Sequence, residues 1–342
     1  MELSELKARL KSGALGGWYI FGGEEDYLKK HYLKSLRDAV VTDDAFALFN
    51  HVVFDGASIN ISDLSEAVKS PPMMSDFKLV EWKFANFEGM KASELSSLVS
   101  IFSLKEAHPY TVLAIMTADD GLEISPSQRK SKLYNTLSEG FDIINFKKST
   151  DAQLISWLKR HFDAEGISVN GHTLSAMLFR VGHSMENLNN EVIKLSSYAK
   201  ANGQISISPK DVEQVCAPTV ECDAFALSNA ITEKNVRKAF AALTDLKQRR
   251  IEPYSVISML ERTYCELVSV ALLLSEGKEA KDIESTLKLH PFKARLAIAA
   301  AKKLGTSRLA ASLDSIRRID AMSKSGGITG YGAIEMFITQ NI

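Results

Sequence analysis

The sequence has few cysteines and no long apolar run. Its three cysteines, Cys216, Cys222 and Cys265, are an odd set without a Cys-x-x-Cys pair, which indicates reduced thiols and not a disulfide framework. No stretch approaches the roughly 18 apolar residues that span a bilayer. The segment Met1–Lys7 lacks the basic and then apolar pattern of a secretion signal. We therefore expect a cytoplasmic protein with no membrane partner.

The sequence also has no excess of charge of one sign. Lys and Arg total 41 and Asp and Glu total 42, so the net charge is -1. This balance excludes an evenly basic nucleic-acid binder, although it leaves room for a local basic face. With 342 residues, 45% of them hydrophobic, the chain has the composition of a globular protein and the length of two or three domains.

A phosphate-binding loop is missing where the pattern of the chain would place one. Trp18–Phe21 is a compact apolar run typical of a buried strand, and Gly22 and Gly23 turn the chain into a helix that begins at Glu24–Asp26. A P-loop needs a longer glycine loop that ends in Lys and Ser or Thr, because these groups bind the phosphates and Mg²⁺. Three carboxylates at this position would repel a triphosphate, so we expect no ATP and no other cofactor.

Strands and helices alternate in the first segment. Further strands are predicted at His51–Phe54, Phe77–Phe84, Tyr110–Met116 and Phe141–Phe146, and helices at Asp63–Val68, Ser93–Phe102 and Ser131–Leu137. This alternation predicts a parallel sheet covered by helices over residues 1–145. Asp119 and Asp120 follow the fourth strand, where metal-binding carboxylates often lie. Without a phosphate loop, a turn or helix-cap role is favoured for them.

Two adjacent methionines follow a helix that is sharply terminated. Pro71 and Pro72 end that helix, because proline lacks an amide donor and pushes its predecessor out of the α region. Met73 and Met74 come next, on a loop where polar residues are the norm. Methionine is common on binding surfaces. Two interpretations stay open: an apolar plug for a partner's pocket, or two side chains that pack back under the domain.

The rest of the chain carries helical apolar spacing. It predicts a small helical domain over residues 146–220 and an all-helical bundle over residues 221–342. The long helix that starts at Tyr254 is apolar around much of its circumference, so it is expected at the centre of the bundle. His172 and His183 are too isolated to suggest a metal site, and surface or capping roles are favoured for them.

Three pairs of basic residues lie in the predicted bundle. They are Arg249 and Arg250, Lys302 and Lys303, and Arg317 and Arg318. Such pairs are usually solvated parts of helix surfaces, and the alternative is that some of them line a path for nucleic acid.

Five segments of the sequence, taken in order and with their spacing, carry a family resemblance. They are Trp18–Leu28, Pro72–Val80, Asn187–Leu195, Leu287–Lys293 and Asp320–Gly326. In sequence and spacing they resemble the delta-subunit family of the bacterial DNA polymerase III clamp loader. The family pattern usually has an aromatic residue in the apolar pair, where this chain has Met73 and Met74.

The resemblance implies an AAA+-like parallel α/β domain without a P-loop, a small helical lid-type domain and a C-terminal helical collar bundle. It implies that the chain binds and opens the ring-shaped sliding clamp, the beta subunit, by inserting Met73 and Met74, next to Pro72, into a groove. The other implied partners are the motor and delta-prime subunits, through the collar, and primer–template DNA within the assembled complex. The DNA polymerase III holoenzyme, of which this family forms a subunit, is a DNA-directed DNA polymerase and so a nucleotidyltransferase. No catalytic site is expected in this chain itself.

Two alternatives stay open at this point. The first is an ATP-driven AAA+ motor or remodeller, which the acidic residues at the expected phosphate loop disfavour. The second is a helical nucleic-acid-binding adaptor with a relic nucleotide fold, which would bind DNA in a salt-dependent manner.

Overall fold

The computed structural model divides into two compact units, Met1–Ser149 and Thr150–Ile342. It describes residues 1–42, 44–118, 121, 122, 124, 131–289 and 291–342. Asp119 and Asp120, for which a turn or cap role is predicted, lie outside the described residues. None of the described helices is long and apolar enough to cross a membrane.

Unit 1 is built on a five-stranded sheet. The strands are β1 (Trp18–Gly22), β2 (His51–Asp55), β3 (Lys78–Ala85), β4 (Thr111–Thr117) and β5 (Asp142–Asn145). Their order across the sheet is β2-β3-β4-β1-β5, and every pairing is parallel. Parallel neighbours need crossover connections, and the intervening helices supply them.

Helices cover both faces of this sheet. They are α1 (Leu3–Ser12), α2 (Asp26–Val40), α3 (Ala47–Asn50), α4 (Ile61–Lys69), α5 (Ala92–Ser100), α6 (Leu104–Ala107) and α7 (Lys132–Gly140). Successive strand side chains point to opposite faces. Trp18 and Ile20 therefore pack in a core with α4, α5 and α7, whereas Tyr19 and Phe21 pack in a second core with α1 and α2. The predicted alternation of strands and helices is confirmed.

The differences from the prediction are local. The third strand begins at Lys78, so Phe77 precedes it and is half-buried. The four-residue helices α3 and α6 were not predicted, because one turn of helix is too short to show a period of 3.6 residues.

In its described residues, unit 2 is helical apart from one pair of two-residue strands. The helices are α8 (Asp151–Ala164), α9 (Gly171–Val181), α10 (Met185–Ala201), α11 (Pro209–Val215), α12 (Val220–Thr232), α13 (Val236–Gln248), α14 (Pro253–Ser275), α15 (Ala280–Leu287), α16 (Pro291–Leu304), α17 (Thr306–Lys324) and α18 (Tyr331–Asn341). The strands are β6 (Ser168–Val169) and β7 (Ser206–Ile207), which pair in parallel.

Helix α14 lies at the centre of the largest core of this unit. Its buried residues pack with those of α12, α13, α16, α17 and α18, and the Tyr264 and Phe337 ring centroids lie 5.4 Å apart. Helix α9 joins the same unit through Phe179, whose ring contacts Phe225 on α12 and Phe292 on α16. The predicted fold class, a parallel α/β part followed by an all-helical part, is confirmed. The predicted domain borders at residues 145 and 220 stay predictions, and the second of them lies inside unit 2.

Candidate functional site

Helix α4 carries the chain to the two methionines. Its N-terminus is capped by the Asn60 side chain, which accepts a hydrogen bond from the Ser62 amide at 3.0 Å. Leu64 and Val68 are buried against the sheet. The helix ends at Lys69, and Ser70 has extended backbone geometry, as expected for a residue that precedes a proline.

The last turn of α4 is fixed by side chains at or just before the starts of β3 and β4. The Thr111 hydroxyl donates to the Val68 carbonyl at 2.8 Å, and the Tyr110 hydroxyl donates to the Lys69 carbonyl at 2.9 Å. The Lys78 ammonium donates to the Ala67 carbonyl. Carbonyl groups at the end of a helix have no partner within the helix. These three donors satisfy consecutive carbonyls, so the helix end that precedes the methionine loop is held rigidly.

Lys78 is an unusual residue for its position. It is fully buried at the start of β3, and its Nζ also lies 2.6 Å from the Ser70 hydroxyl. Burial lowers the pKa of its ammonium from 10.5 to about 8. The sequence signal for this role was weak, because β3 also carries Glu81 and Lys83.

The methionine pair is exposed. Met73 is 43% exposed and Met74 is 83% exposed. The alternative in which both side chains pack under the domain is therefore wrong. Met74 has a φ of 53°, in the left-handed region that side-chain-bearing residues rarely adopt. Such a conformation persists where surrounding contacts impose it.

Asn50 holds the preceding residue, Met73, from the other side of the loop. Its Nδ2 donates to the Met73 carbonyl at 2.8 Å, and its Oδ1 accepts from the Met73 amide at 2.7 Å. The Asn50 side chain is buried, so the two hydrogen bonds are shielded from water. No sequence pattern pointed to Asn50, because its partner lies 23 residues further along the chain.

The backbone of Phe146 lies directly against the glycine turn after β1. A Cβ built on Gly23 would lie 2.6 Å from the Phe146 carbonyl oxygen. The Phe146 amide donates to the Gly22 carbonyl at 2.8 Å, and the Glu25 amide donates to the Phe146 carbonyl at 2.9 Å. Glu25 is nearly buried, and burial raises its pKa. The backbone amide of Glu25 thus bonds the residue after β5 and is not free to bind a phosphate.

The predicted basic pairs lie on separate parts of unit 2, and their roles differ. Arg249 pairs with Asp223 and also donates to the Pro218 carbonyl at 2.8 Å, which ties the end of α13 to the start of α12. Arg317 pairs with Glu261 at 3.0 Å, between α17 and α14. Arg318 donates to the Asp314 carbonyl of its own helix at 3.3 Å. Over the part of the chain that the structure describes, Arg250, Lys302 and Lys303 form no ion pair.

Both predicted surface histidines are exposed and bonded to side chains. The His172 ring lies 2.9 Å from the Arg295 guanidinium, and the His183 ring lies 2.8 Å from the Asp151 carboxylate in the first turn of α8. Among the described residues, no group of three or more His, Cys, Asp or Glu side chains could hold a metal ion.

Lys293 is a structural residue whose role no pattern in the sequence indicated. It is buried near the start of α16, and its Nζ lies 2.9 Å from Glu221 on α12 and 2.6 Å from Glu266 on α14. Burial alone would raise the pKa of Glu221, but the hydrogen bond and charge of Lys293 outweigh it and leave that pKa below its usual value. The three charges join three helices of the bundle.

Two family models match the two ends of the chain. The model for the DNA polymerase III delta subunit matches residues 19–144, and the model for the C-terminal domain of the same subunit matches residues 221–341. Together they account for more than half of the sequence. The chain belongs to the DNA polymerase III delta subunit family. Membership of the delta family supports a clamp-loader role in DNA replication.

Two relatives and one solved structure agree with this assignment. The DNA polymerase III subunit delta of Bacillus subtilis strain 168 is 23% identical over 337 residues, which cover 97% of this chain and 94% of that protein. A probable delta subunit of Aquifex aeolicus strain VF5 is 21% identical and covers 90% and 85%. The Bacillus subtilis DNA clamp loader delta protein has a similar fold, with a TM-score of 0.56, 22% identity and 98% of each chain covered.

Proposed function

We propose that this chain binds and opens a ring-shaped sliding clamp by inserting Met73 and Met74 into a groove on the clamp surface. The observation that carries the proposal is the exposure of two adjacent methionines on a loop whose flanks are both anchored. Interfaces concentrate their energy in a few apolar anchors that fill pockets. A loop that is already ordered loses little conformational entropy when it binds, so its contacts contribute more to affinity.

In this proposal the chain opens the clamp without an ATPase activity of its own. The glycine turn after β1 lacks the Lys and Ser or Thr of a phosphate loop, and acidic residues begin the helix that follows. The Phe146 carbonyl occupies the space beside Gly23. These features support a subunit that relies on separate motor subunits for nucleotide hydrolysis, and they disfavour the alternative of an ATP-driven motor.

The helical part of the chain is the proposed site of assembly with the motor and delta-prime subunits, through residues 221–342. Primer–template DNA is a proposed partner within the assembled complex. Arg250, Lys302 and Lys303 are the best candidates for contact with it, because Arg249 and Arg317 are engaged in ion pairs within unit 2. A nucleic-acid adaptor that acts alone is less well supported, because the net charge is -1.

The test is the double substitution Met73→Ala with Met74→Ala in the full chain. Burial of a methionine side chain contributes about 1.5–3 kcal/mol. Loss of both should weaken clamp binding by roughly two to four orders of magnitude, measured by surface plasmon resonance on the purified clamp. The melting temperature should stay within about a degree of wild type, because exposed side chains add little to stability.

Leu79→Ala is the control for stability. Leu79 is fully buried in β3, and loss of a buried leucine side chain typically costs about 2–5 kcal/mol. This variant should show the melting-temperature loss that the methionine variant lacks. Unchanged clamp affinity in the methionine variant would refute the proposed function.

A further inference from the structure

Two large apolar side chains are exposed immediately beside the methionine loop, on helix α3. Leu48 is 89% exposed and Phe49 is 57% exposed. Leu48 and Met74 are the two most exposed large apolar residues in the part of the chain that the structure describes. Single exposed apolar side chains are ordinary on a protein surface. Several of them in two adjoining segments form a patch, and such patches mark interaction sites.

The burial of α3 is inverted relative to the polarity of its residues. Polar Asn50 is buried and Ala47 is partly buried, whereas apolar Leu48 and Phe49 face outward. Residues three apart share one face of a helix, so Ala47 and Asn50 form the inner face. Asn50 takes the inner position because it bonds the Met73 backbone. The anchoring of the methionine loop and the exposure of Leu48 and Phe49 are therefore two results of the same helix orientation.

The same hydrogen bonds hold the four apolar residues at short range. Phe49 is adjacent to Asn50 in sequence, and Leu48 is one residue further away. Since consecutive Cα atoms are about 3.8 Å apart, the Leu48 Cα lies within about 7.6 Å of the Asn50 Cα. Asn50 in turn contacts the backbone of Met73 directly, at 2.7 and 2.8 Å. A partner surface that receives Met73 and Met74 comes within reach of both side chains of α3.

We propose that Leu48 and Phe49 form a second apolar contact with the sliding clamp, beside the contact made by Met73 and Met74. This inference rests on the proposed function, and it enlarges the clamp-binding surface from one loop to two chain segments joined by Asn50. The occupant is the clamp and not a second copy of this chain, because the patch is continuous with the loop proposed to bind the clamp. The second contact would fix the orientation of the clamp on unit 1, because two separate contacts restrict rotation more than one does.

The test compares three variants of the full chain for binding to the purified clamp by surface plasmon resonance. The variant Leu48→Ala with Phe49→Ala should bind about tenfold to a hundredfold more weakly than wild type, and its melting temperature should be unchanged. The variant Met73→Ala with Met74→Ala tests the proposed function in the same experiment. Ile205→Ala is the control, since Ile205 is 79% exposed, between Leu48 and Phe49, but lies in unit 2. It should bind like wild type.

The outcomes separate the inference from the proposed function. If the methionine variant loses binding while the Leu48 and Phe49 variant keeps wild-type affinity, the second contact is wrong and the proposed function stands. If the wild-type chain does not bind the clamp, or if the methionine variant binds normally, both are wrong. Equal weakening by Ile205→Ala would show a non-specific apolar effect and would also overturn the second contact.

Discussion

Lys78 bonds Ser70 at the end of α4: the buried ammonium lies 2.6 Å from the Ser70 hydroxyl and also donates to the Ala67 carbonyl. No carboxylate among the described residues forms an ion pair with Lys78. The charge is therefore stabilised by a helix C-terminus, whose carbonyl groups carry partial negative charge. This contact fixes the point from which the methionine loop departs.

We expect the buried ammonium of Lys78 to make the free energy of unfolding depend on pH in the alkaline range. The folded-state pKa is about 8 and the ordinary value is 10.5, so between these values the unfolded chain binds a proton that the folded chain has released. Stability rises with pH wherever the unfolded state binds more protons. We compare the free energy of unfolding of wild type with that of Lys78→Met. The wild-type value minus the variant value should rise by up to about 3 kcal/mol from pH 8 to 10.5.

Urea unfolding at several pH values measures this difference. Lys69→Met is the matched control, because it removes an exposed ammonium from the same helix end. A difference between wild type and Lys78→Met that stays constant across this pH window would contradict the assignment.

Asn50→Ala should weaken clamp binding although every apolar side chain remains. The substitution removes both hydrogen bonds to Met73, so the loop must be ordered at the moment of binding, and affinity should fall by about tenfold. Asn60→Ala is the control. It removes the cap of α4 and should cost about 1 kcal/mol of stability without freeing Met73. Equal losses of clamp affinity in both variants would indicate general destabilisation and refute the positioning role.

The isolated chain should neither bind ATP tightly nor hydrolyse it. The amide of Glu25 is bonded to the Phe146 carbonyl, and the turn at Gly23 lacks the Lys and Ser or Thr that bind phosphate and Mg²⁺. Equilibrium binding of a fluorescent ATP analogue measures this, with a phosphate-loop ATPase as the positive control. Micromolar affinity that requires Mg²⁺ would contradict the prediction.

Lys293→Met should destabilise the helical bundle at neutral pH. The substitution leaves Glu221 and Glu266 facing each other without their shared cation, which should cost on the order of 1–2 kcal/mol because both carboxylates are partly exposed. The pKa of Glu221 is lowered in the fold, so its contribution is present above about pH 4.5 and is lost as the pH falls through the folded-state value.

The loss of stability of the Lys293→Met variant relative to wild type should accordingly become smaller at acid pH. Thermal melts between pH 3 and 7 measure this. Lys302→Met, an exposed position on the same helix, should match wild type throughout. A deficit of the same size at pH 3 would mean that packing, and not charge, explains the loss.

A fragment of residues 1–149 should bind the clamp but should not join the motor subunits. All residues proposed to contact the clamp lie in unit 1, and unit 1 is compact by itself. Size-exclusion chromatography with each partner separately measures both properties, and circular dichroism establishes that the fragment is folded. A folded fragment that fails to bind the clamp would count against this division of labour.

Local patterns in the sequence predicted the fold well, and contacts between distant residues explain what they missed. Apolar runs separated by helical spacing identified β1 to β5, because a buried parallel strand shows its character in a few consecutive residues. The proline pair correctly located the end of α4. Helix α3 was missed because it has only four residues.

The candidate site was only partly predictable for the same reason. The unusual pair Met73 and Met74 was visible in the sequence, but its anchoring was not. Asn50 bonds the Met73 backbone, and Lys78, Tyr110 and Thr111 bond the end of α4. These residues act through hydrogen bonds to backbone atoms 11 to 43 positions away, which no local pattern encodes. Likewise, Arg249 and Arg317 look like free cations in the sequence and are ion-paired in the fold.

The left-handed backbone of Met74 restricts which side chains could replace it. A β-branched residue is strongly disfavoured at a φ of 53°, so isoleucine or valine would strain the loop. Leucine, which branches only at Cγ, and the aromatic residues carry no second branch at Cβ. Substitutions of Met74 that are meant to raise affinity for a partner should therefore vary the length and shape of the side chain beyond Cβ. The conformation of one residue thus narrows the chemistry that evolution or design can place at the tip.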